Sequence, residues 1–148
     1  MAGFLNSPIG ATAPLLEPLR ATLQLWAEQP FHPRTANCVL SVTDYVEGVL
    51  GREAAQRPHD LGPVARQKLW DSEAELVAYC AQLFGGQLGL RETEAPVRGD
   101  IGLVHGMSPS LTAAICLAPG KWAARGQQGV VAGTAAPLIA WAMPEGAA

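Results

Sequence analysis

The sequence has little charge and no concentration of positive charge. Lys, Arg, Asp and Glu make up 16% of its 148 residues, and the formal net charge is −3. Nucleic-acid binding depends on clusters of Lys and Arg that face phosphates, so we expect no nucleic-acid partner. So few charges on a small domain also predict that part of its surface is covered by other proteins.

The sequence also lacks the features of export, membrane insertion and metal binding. No stretch approaches about 18 consecutive apolar residues, and the N-terminus carries no basic leader. The three cysteines, Cys38, Cys80 and Cys116, are odd in number and widely spaced, which predicts neither a disulfide framework nor a C-x-x-C metal site. We therefore expect free thiols, no membrane span, no metal and no cofactor.

What the sequence does contain is a run of helical patterns followed by a run of strand patterns. Apolar residues at helical spacing predict helices over residues 17–29, 38–50 and 73–83, and a short one from Pro63. After residue 86, short β-type runs separated by Gly and Pro lie at residues 88–90, 101–104, 114–117, 130–131 and 138–141. This order predicts an α+β domain, with N-terminal helices packed on a small antiparallel β-sheet.

The composition of the N-terminus predicts an arm, residues 1–13, followed by one domain over residues 14–148. The arm is rich in Gly, Ser, Pro and Asn and offers only Phe4, Leu5 and Ile9 as large apolar anchors. That is too little for a self-supporting element, so we expect contacts with other subunits to order it. We expect the same of the Ala- and Gly-rich end after Trp141.

The junction of Asn37 and Cys38 is the main candidate for chemistry. Asn37 is suited to cap a helix, which places Cys38 at the first helical position. There the positive end of the helix dipole favours thiolate over thiol. Cys38 also shares an apolar stripe with Val42 and Tyr45, so a buried and inert thiol is the alternative. A second candidate, Asp100, precedes a predicted strand and is expected to be a structural cap rather than an acid or a metal ligand.

Four segments of the chain follow one another in a recognisable order. They are residues 26–51, Gly99-Asp100-Ile101-Gly102-Leu103-Val104, Ala113-Ala114-Ile115-Cys116-Leu117 and Ala140-Trp141. In this order they resemble the NlpC/P60-like, papain-related proteins encoded in bacteriophage tail gene clusters, and more narrowly a small phage family of unassigned function. The resemblance implies a papain-like fold and a location at the virion tail tip, after synthesis in the bacterial host cytoplasm. The implied partners are other tail-tip or hub proteins, and peptidoglycan.

The resemblance also implies a cysteine nucleophile, a histidine base and a third group that orients the imidazole. Cys38 occupies the cysteine position, but Thr112 stands where the family has its histidine. Threonine has no group that titrates near neutral pH, so it cannot replace the base. His105, at the end of the preceding strand, is the best substitute, and His32 is the next. Both are otherwise ordinary exposed histidines, and His59 is expected in a solvated loop.

We therefore expect a structural component of a tailed phage or phage-like particle, at the tail tip, that uses a degenerate NlpC/P60-like domain for assembly. The alternative is an active cysteine peptidase or amidase that opens peptidoglycan, with Cys38 as nucleophile and His105 or His32 as base. A third possibility is a cytoplasmic tail-assembly factor that is absent from the mature particle.

Overall fold

The structure, a computed structural model, describes residues 17–29 and 37–145. The described helices are α1 (Pro18–Glu28), α2 (Cys38–Leu50), α3 (Pro63–Trp70) and α4 (Glu73–Cys80), with a 3₁₀ turn at Pro58–Asp60 and a π-helical continuation of α4 over Ala81–Gln87. A six-stranded antiparallel sheet follows, so the predicted α+β class is confirmed. The predicted arm and His32 lie outside the described residues.

The sheet is strongly curled. Its strands are β1 (Arg91–Glu92), β2 (Ile101–His105), β3 (Thr112–Ala118), β4 (Lys121–Gly126), β5 (Gly129–Thr134) and β6 (Ala136–Ala142). They lie in the order β1-β6-β2-β3-β4-β5, and each neighbouring pair is antiparallel. Only Ala135 separates β5 from β6 along the chain, although β2, β3 and β4 lie between them in the sheet. The two strands can meet only if the sheet bends back on itself.

This curl creates a core on each face of the sheet. One core lies between the sheet and the helices and includes Trp26, Val46, Leu83, Phe84, Ile115 and Trp141. The other core lies on the opposite face and contains Val104, Ala114, Cys116, Trp122, Ala124, Ala135 and Ala140. A Cβ atom at Gly102 would lie 3.0 Å from the Trp122 ring and 2.9 Å from the Ile139 carbonyl oxygen. Glycine is therefore required at position 102, because the ring packs directly on the backbone of β2.

Helix α2 is the central helix, and its predicted ends are confirmed. The Asn37 Oδ1 accepts a hydrogen bond of 2.9 Å from the Leu40 N–H, and Gly51 ends the helix with a φ of 71°. The apolar spacing along this helix predicts that Asp44 and Glu47 lie on its polar side, but Glu47 is only 7% exposed. Its carboxylate is covered because it accepts hydrogen bonds from the Arg57 side chain.

Two other predictions differ from the structure. The pair Gly85-Gly86 predicts a helix stop, but the fourth helix continues to Gln87 before Gly89 reverses the chain with a φ of 72°. Gly85 packs near the Trp141 indole, and a Cβ atom there would make an ordinary contact of 3.7 Å with the Trp141 Nε1. Strand β4 is not predicted at all, because Ala-rich sequences have little strand propensity. It forms through pairing with β3 and β5.

Asp100 is the structural cap that the sequence predicts. Its Oδ2 accepts a hydrogen bond of 2.9 Å from the Val97 N–H, and its Oδ1 accepts one of 2.9 Å from the Met143 N–H. The carboxylate therefore joins the turn before β2 to the residue that follows β6. Cys80 and Cys116 have apolar neighbours in the sequence, which predicts core positions, and each is buried in one of the two cores.

Candidate functional site

Cys38 lines a pocket of about 340 Å³ at the end of the sheet where β3 begins and β4 ends. The other described walls come from the loop before β3 and from the β4–β5 hairpin: Met107, Ser108, Ser110, Leu111, Thr112, Ala124, Arg125, Gly126, Gln127 and Val131. A volume of this size suits a small organic ligand, and the lining mixes apolar and polar groups as ligand pockets do. This is the candidate functional site.

Cys38 takes the predicted first position of α2 but does not carry the predicted activated thiolate. The residue is 8% exposed, and this burial raises the pKa of its thiol. The N–H groups of Ala113 and Val39 act in the opposite direction, since they stabilise negative charge on sulfur. Desolvation outweighs them, so the neutral thiol is favoured at neutral pH.

We expect iodoacetamide to alkylate Cys38 more slowly than it alkylates a short cysteine peptide at about pH 7.5. Each unit by which the pKa rises lowers the thiolate fraction about tenfold at that pH, and only the thiolate reacts quickly. The rate should continue to increase above about pH 8.5, the ordinary cysteine pKa. Peptide mass spectrometry after timed labelling measures the rate, with buried Cys80 and Cys116 as internal references. Rapid labelling with a midpoint below about pH 7 would instead reveal an activated nucleophile.

The structure brings Cys38 and Thr112 together as walls of one pocket. Thr112 opens β3, and its Oγ1 donates a hydrogen bond of 3.1 Å to the Ser110 carbonyl. The same oxygen lies 3.0 Å from the Ser108 Oγ, so the hydroxyl is bonded within the loop. No histidine lines this pocket in the part of the chain that the structure describes. The described walls thus provide a thiol without a base.

The two described histidines each pair with a carboxylate elsewhere. The His105 Nε2 lies 3.2 Å from both carboxylate oxygens of Glu73, so at the end of β2 this ring faces α4. The structure does not place it among the walls of the Cys38 pocket. The expected solvated loop around His59 is wrong, because this residue lies in the 3₁₀ turn with its Nε2 2.8 Å from the Asp44 Oδ1.

Arg125 is a site residue that the sequence reasoning misses. Its side chain is 8% exposed, although it carries a full charge. The Nε donates a hydrogen bond of 2.7 Å to the Gln29 carbonyl, and Nη1 donates one of 3.2 Å to the Ser41 Oγ. Burial lowers the pKa of this guanidinium. In a strand, Arg125 lies on the same face as Ala123, so the alternation of β4 would predict a charged side chain on the buried face. This signal exists only once residues 121–126 are recognised as a strand.

Neither a metal site, nor a membrane-spanning helix, nor a related protein identifies the described part of this chain. Within residues 17–29 and 37–145, no group of three or more His, Cys, Asp or Glu side chains could hold a metal ion. No helix in those ranges is both long and apolar enough to cross a lipid bilayer. No protein-family model, curated protein or solved structure matches this chain.

Proposed function

We propose that this chain is a structural component of a tailed phage or phage-like particle, located at the tail tip and built on a degenerate NlpC/P60-like domain. The observation that carries the proposal is the pocket in which Cys38 and Thr112 are both walls. The resemblance assigns these two positions to the nucleophile and the base, and threonine cannot act as the base. The tail location rests on the resemblance alone.

The state of the thiol supports an assembly role over hydrolysis. A cysteine hydrolase needs a thiolate, produced by a nearby base or by a lowered thiol pKa. Burial instead raises the pKa of Cys38, and the Thr112 hydroxyl is bonded to the Ser110 carbonyl. His105 is bonded to Glu73 and contributes no wall to the pocket.

The position of β5 at one edge of the described sheet supports an assembly role in a second way. Strand β5 (Gly129–Thr134) is the last strand of the described sheet, and all of its residues after Gly129 are exposed. Its sequence contains neither a charged residue nor a proline, the features that usually protect an edge strand from pairing. An extended segment of a neighbouring tail protein could therefore add to the sheet here.

We expect the purified chain to release no soluble fragments from peptidoglycan above the level of a buffer blank. Chromatography of digested muropeptides measures this, with Cys38→Ala as the matched inactive control. Fragment release at the level of the buffer blank, for both the unmodified chain and Cys38→Ala, would support the structural role. Turnover that disappears in Cys38→Ala and in either His105→Ala or His32→Ala would establish the cysteine peptidase or amidase instead.

Mass spectrometry of purified particles tests the location separately. The proposal requires peptides of this chain in the mature particle, at a stoichiometry similar to that of other tail-tip proteins. Their absence from particles, with the chain present in the host lysate, would favour the cytoplasmic assembly factor.

A further inference from the structure

The Arg125 guanidinium forms no ion pair with a carboxylate of the described residues, and Asp44 acts on it only as a charge that is not in ion-pair contact. All 13 Asp and Glu residues of the sequence lie in the described part of the chain, and none of them forms an ion pair with Arg125. The hydrogen bonds of the guanidinium go to a backbone carbonyl and a hydroxyl. The carbonyl of Gln29 belongs to the end of α1 and brings only the partial negative charge of a helix C-terminus. A buried charge with so little compensation is unfavourable unless an anion accompanies it.

Part of the guanidinium remains available for such an anion. The Nε and one Nη1 hydrogen are engaged, whereas Nη2 makes no hydrogen bond to any described residue. Arg125 is itself a wall of the pocket beside Cys38. The unused N–H groups are therefore available to a ligand bound there, while the bonds to Gln29 and Ser41 hold the side chain in position.

The rest of the pocket restricts the chemistry of the ligand. Met107, Leu111 and Val131 provide apolar walls, and Arg125 is the sole charged residue among the described ones. One guanidinium matches one carboxylate in charge and in planar geometry. A phosphate dianion would usually recruit further cations or a set of backbone N–H donors, which the described walls do not offer.

We propose that this pocket binds a small carboxylate ligand with an apolar body, and that Arg125 holds the carboxylate. Ser108 and Thr112 also line the pocket, so their hydroxyl oxygens, which are bonded within the loop, are the polar atoms that the rest of the ligand would meet. This inference does not depend on the tail location, because it follows from the pocket alone.

Pairs of acids and their neutral amides test the proposal on the unmodified chain. The probes are N-acetyl-alanyl-alanine and hexanoate, each compared with its carboxamide, and inorganic phosphate. Titration followed by ¹H–¹⁵N NMR should give saturable shifts at the amides of Thr112, Gly126 and Gln127. We expect at least one acid to bind ~10-fold or more tightly than its amide, because a charged hydrogen bond is lost in the amide.

Tighter binding of N-acetyl-alanyl-alanine would identify the ligand as a peptide C-terminus. Tighter binding of hexanoate would identify it as an aliphatic acid. Equal affinities of acid and amide in both pairs, an absence of saturable shifts, or tighter binding of phosphate would each overturn the proposal.

Substitution of the arginine provides an independent test. Arg125→Gln should remove the preference for acid over amide, whereas Arg98→Gln should preserve it. Arg98 is a suitable control because its side chain is 47% exposed and pairs with Glu17 away from the pocket. A folded Arg125→Gln protein that keeps the preference would contradict the proposal. If that variant does not fold, the comparison of acids and amides on the unmodified chain decides the question.

Discussion

Replacement of Trp122 by alanine is expected to lower the free energy of unfolding by about 3–5 kcal/mol. The Trp122 side chain is fully buried in the core on the face of the sheet away from the helices. Its neighbours there include the small side chains of Ala114, Ala124 and Ala140, which cannot extend to fill the space that the indole leaves. Urea denaturation followed by far-UV circular dichroism measures the change.

Trp122→Phe is the matched control for this prediction. The Trp122 Nε1 is buried and has no hydrogen-bond partner among the described residues, so phenylalanine loses no hydrogen bond there. We expect a cost of only ~1 kcal/mol, from the smaller ring. If both variants lowered the free energy of unfolding equally, the prediction would be contradicted, because the volume of the Trp122 ring in this core would then not be the source of its contribution.

The elements that the sequence predicts well are those specified by residues close together in the chain. The cap of α2 requires the Asn37 side chain and the N–H of Leu40, and its end requires only the left-handed conformation of Gly51. The same holds for Asp100, whose cap begins with the N–H of Val97, three residues earlier. Such signals are visible without knowledge of the fold.

The features that the sequence does not predict depend on distant partners. Strand β4 has weak local propensity, and it forms because β3 and β5 provide hydrogen-bond partners on both sides. Arg125 is buried because the sheet brings it to the Gln29 carbonyl, 96 positions away in sequence. Neither contact can be inferred from the residues around it.

The candidate site was predictable only in part, for the same reason. The resemblance predicts that Cys38 takes the position of the nucleophile and Thr112 that of the base, and both residues line one pocket. The direction of the His105 ring cannot be inferred from the sequence around it, because it depends on where α4 places Glu73. The ring lies 3.2 Å from that carboxylate, which accounts for its orientation.

Replacement of Glu47 by alanine is expected to lower the free energy of unfolding by about 2 kcal/mol, because it removes the buried acceptor of a partly exposed arginine and of a buried backbone N–H. The Glu47 carboxylate accepts hydrogen bonds of 2.8–3.1 Å from the Nε and Nη2 of Arg57. It also accepts one of 2.9 Å from the buried N–H of Ala54. The variant leaves the Arg57 Nε and the Ala54 N–H without their acceptor, whereas the Arg57 Nη2 keeps its 3.4 Å contact with the Asp44 Oδ1. The segment after α2 should therefore be held less firmly. Urea denaturation measures the stability, and faster exchange of the Ala54 amide hydrogen reports the local effect.

Glu53→Ala is the matched control, because it removes the same charge from a second carboxylate beside Arg57. The Glu53 side chain is 68% exposed, and its carboxylate lies 3.8 Å from the Arg57 Nη1. Water already solvates this carboxylate, so we expect a change of at most ~0.5 kcal/mol. A similarly small loss for Glu47→Ala would show that water replaces Glu47 as the hydrogen-bond partner of Arg57 at little cost. The stability of the central helix would then not depend on this pair. A large loss confined to Glu47→Ala would show that burial, rather than charge alone, makes the pair stabilising.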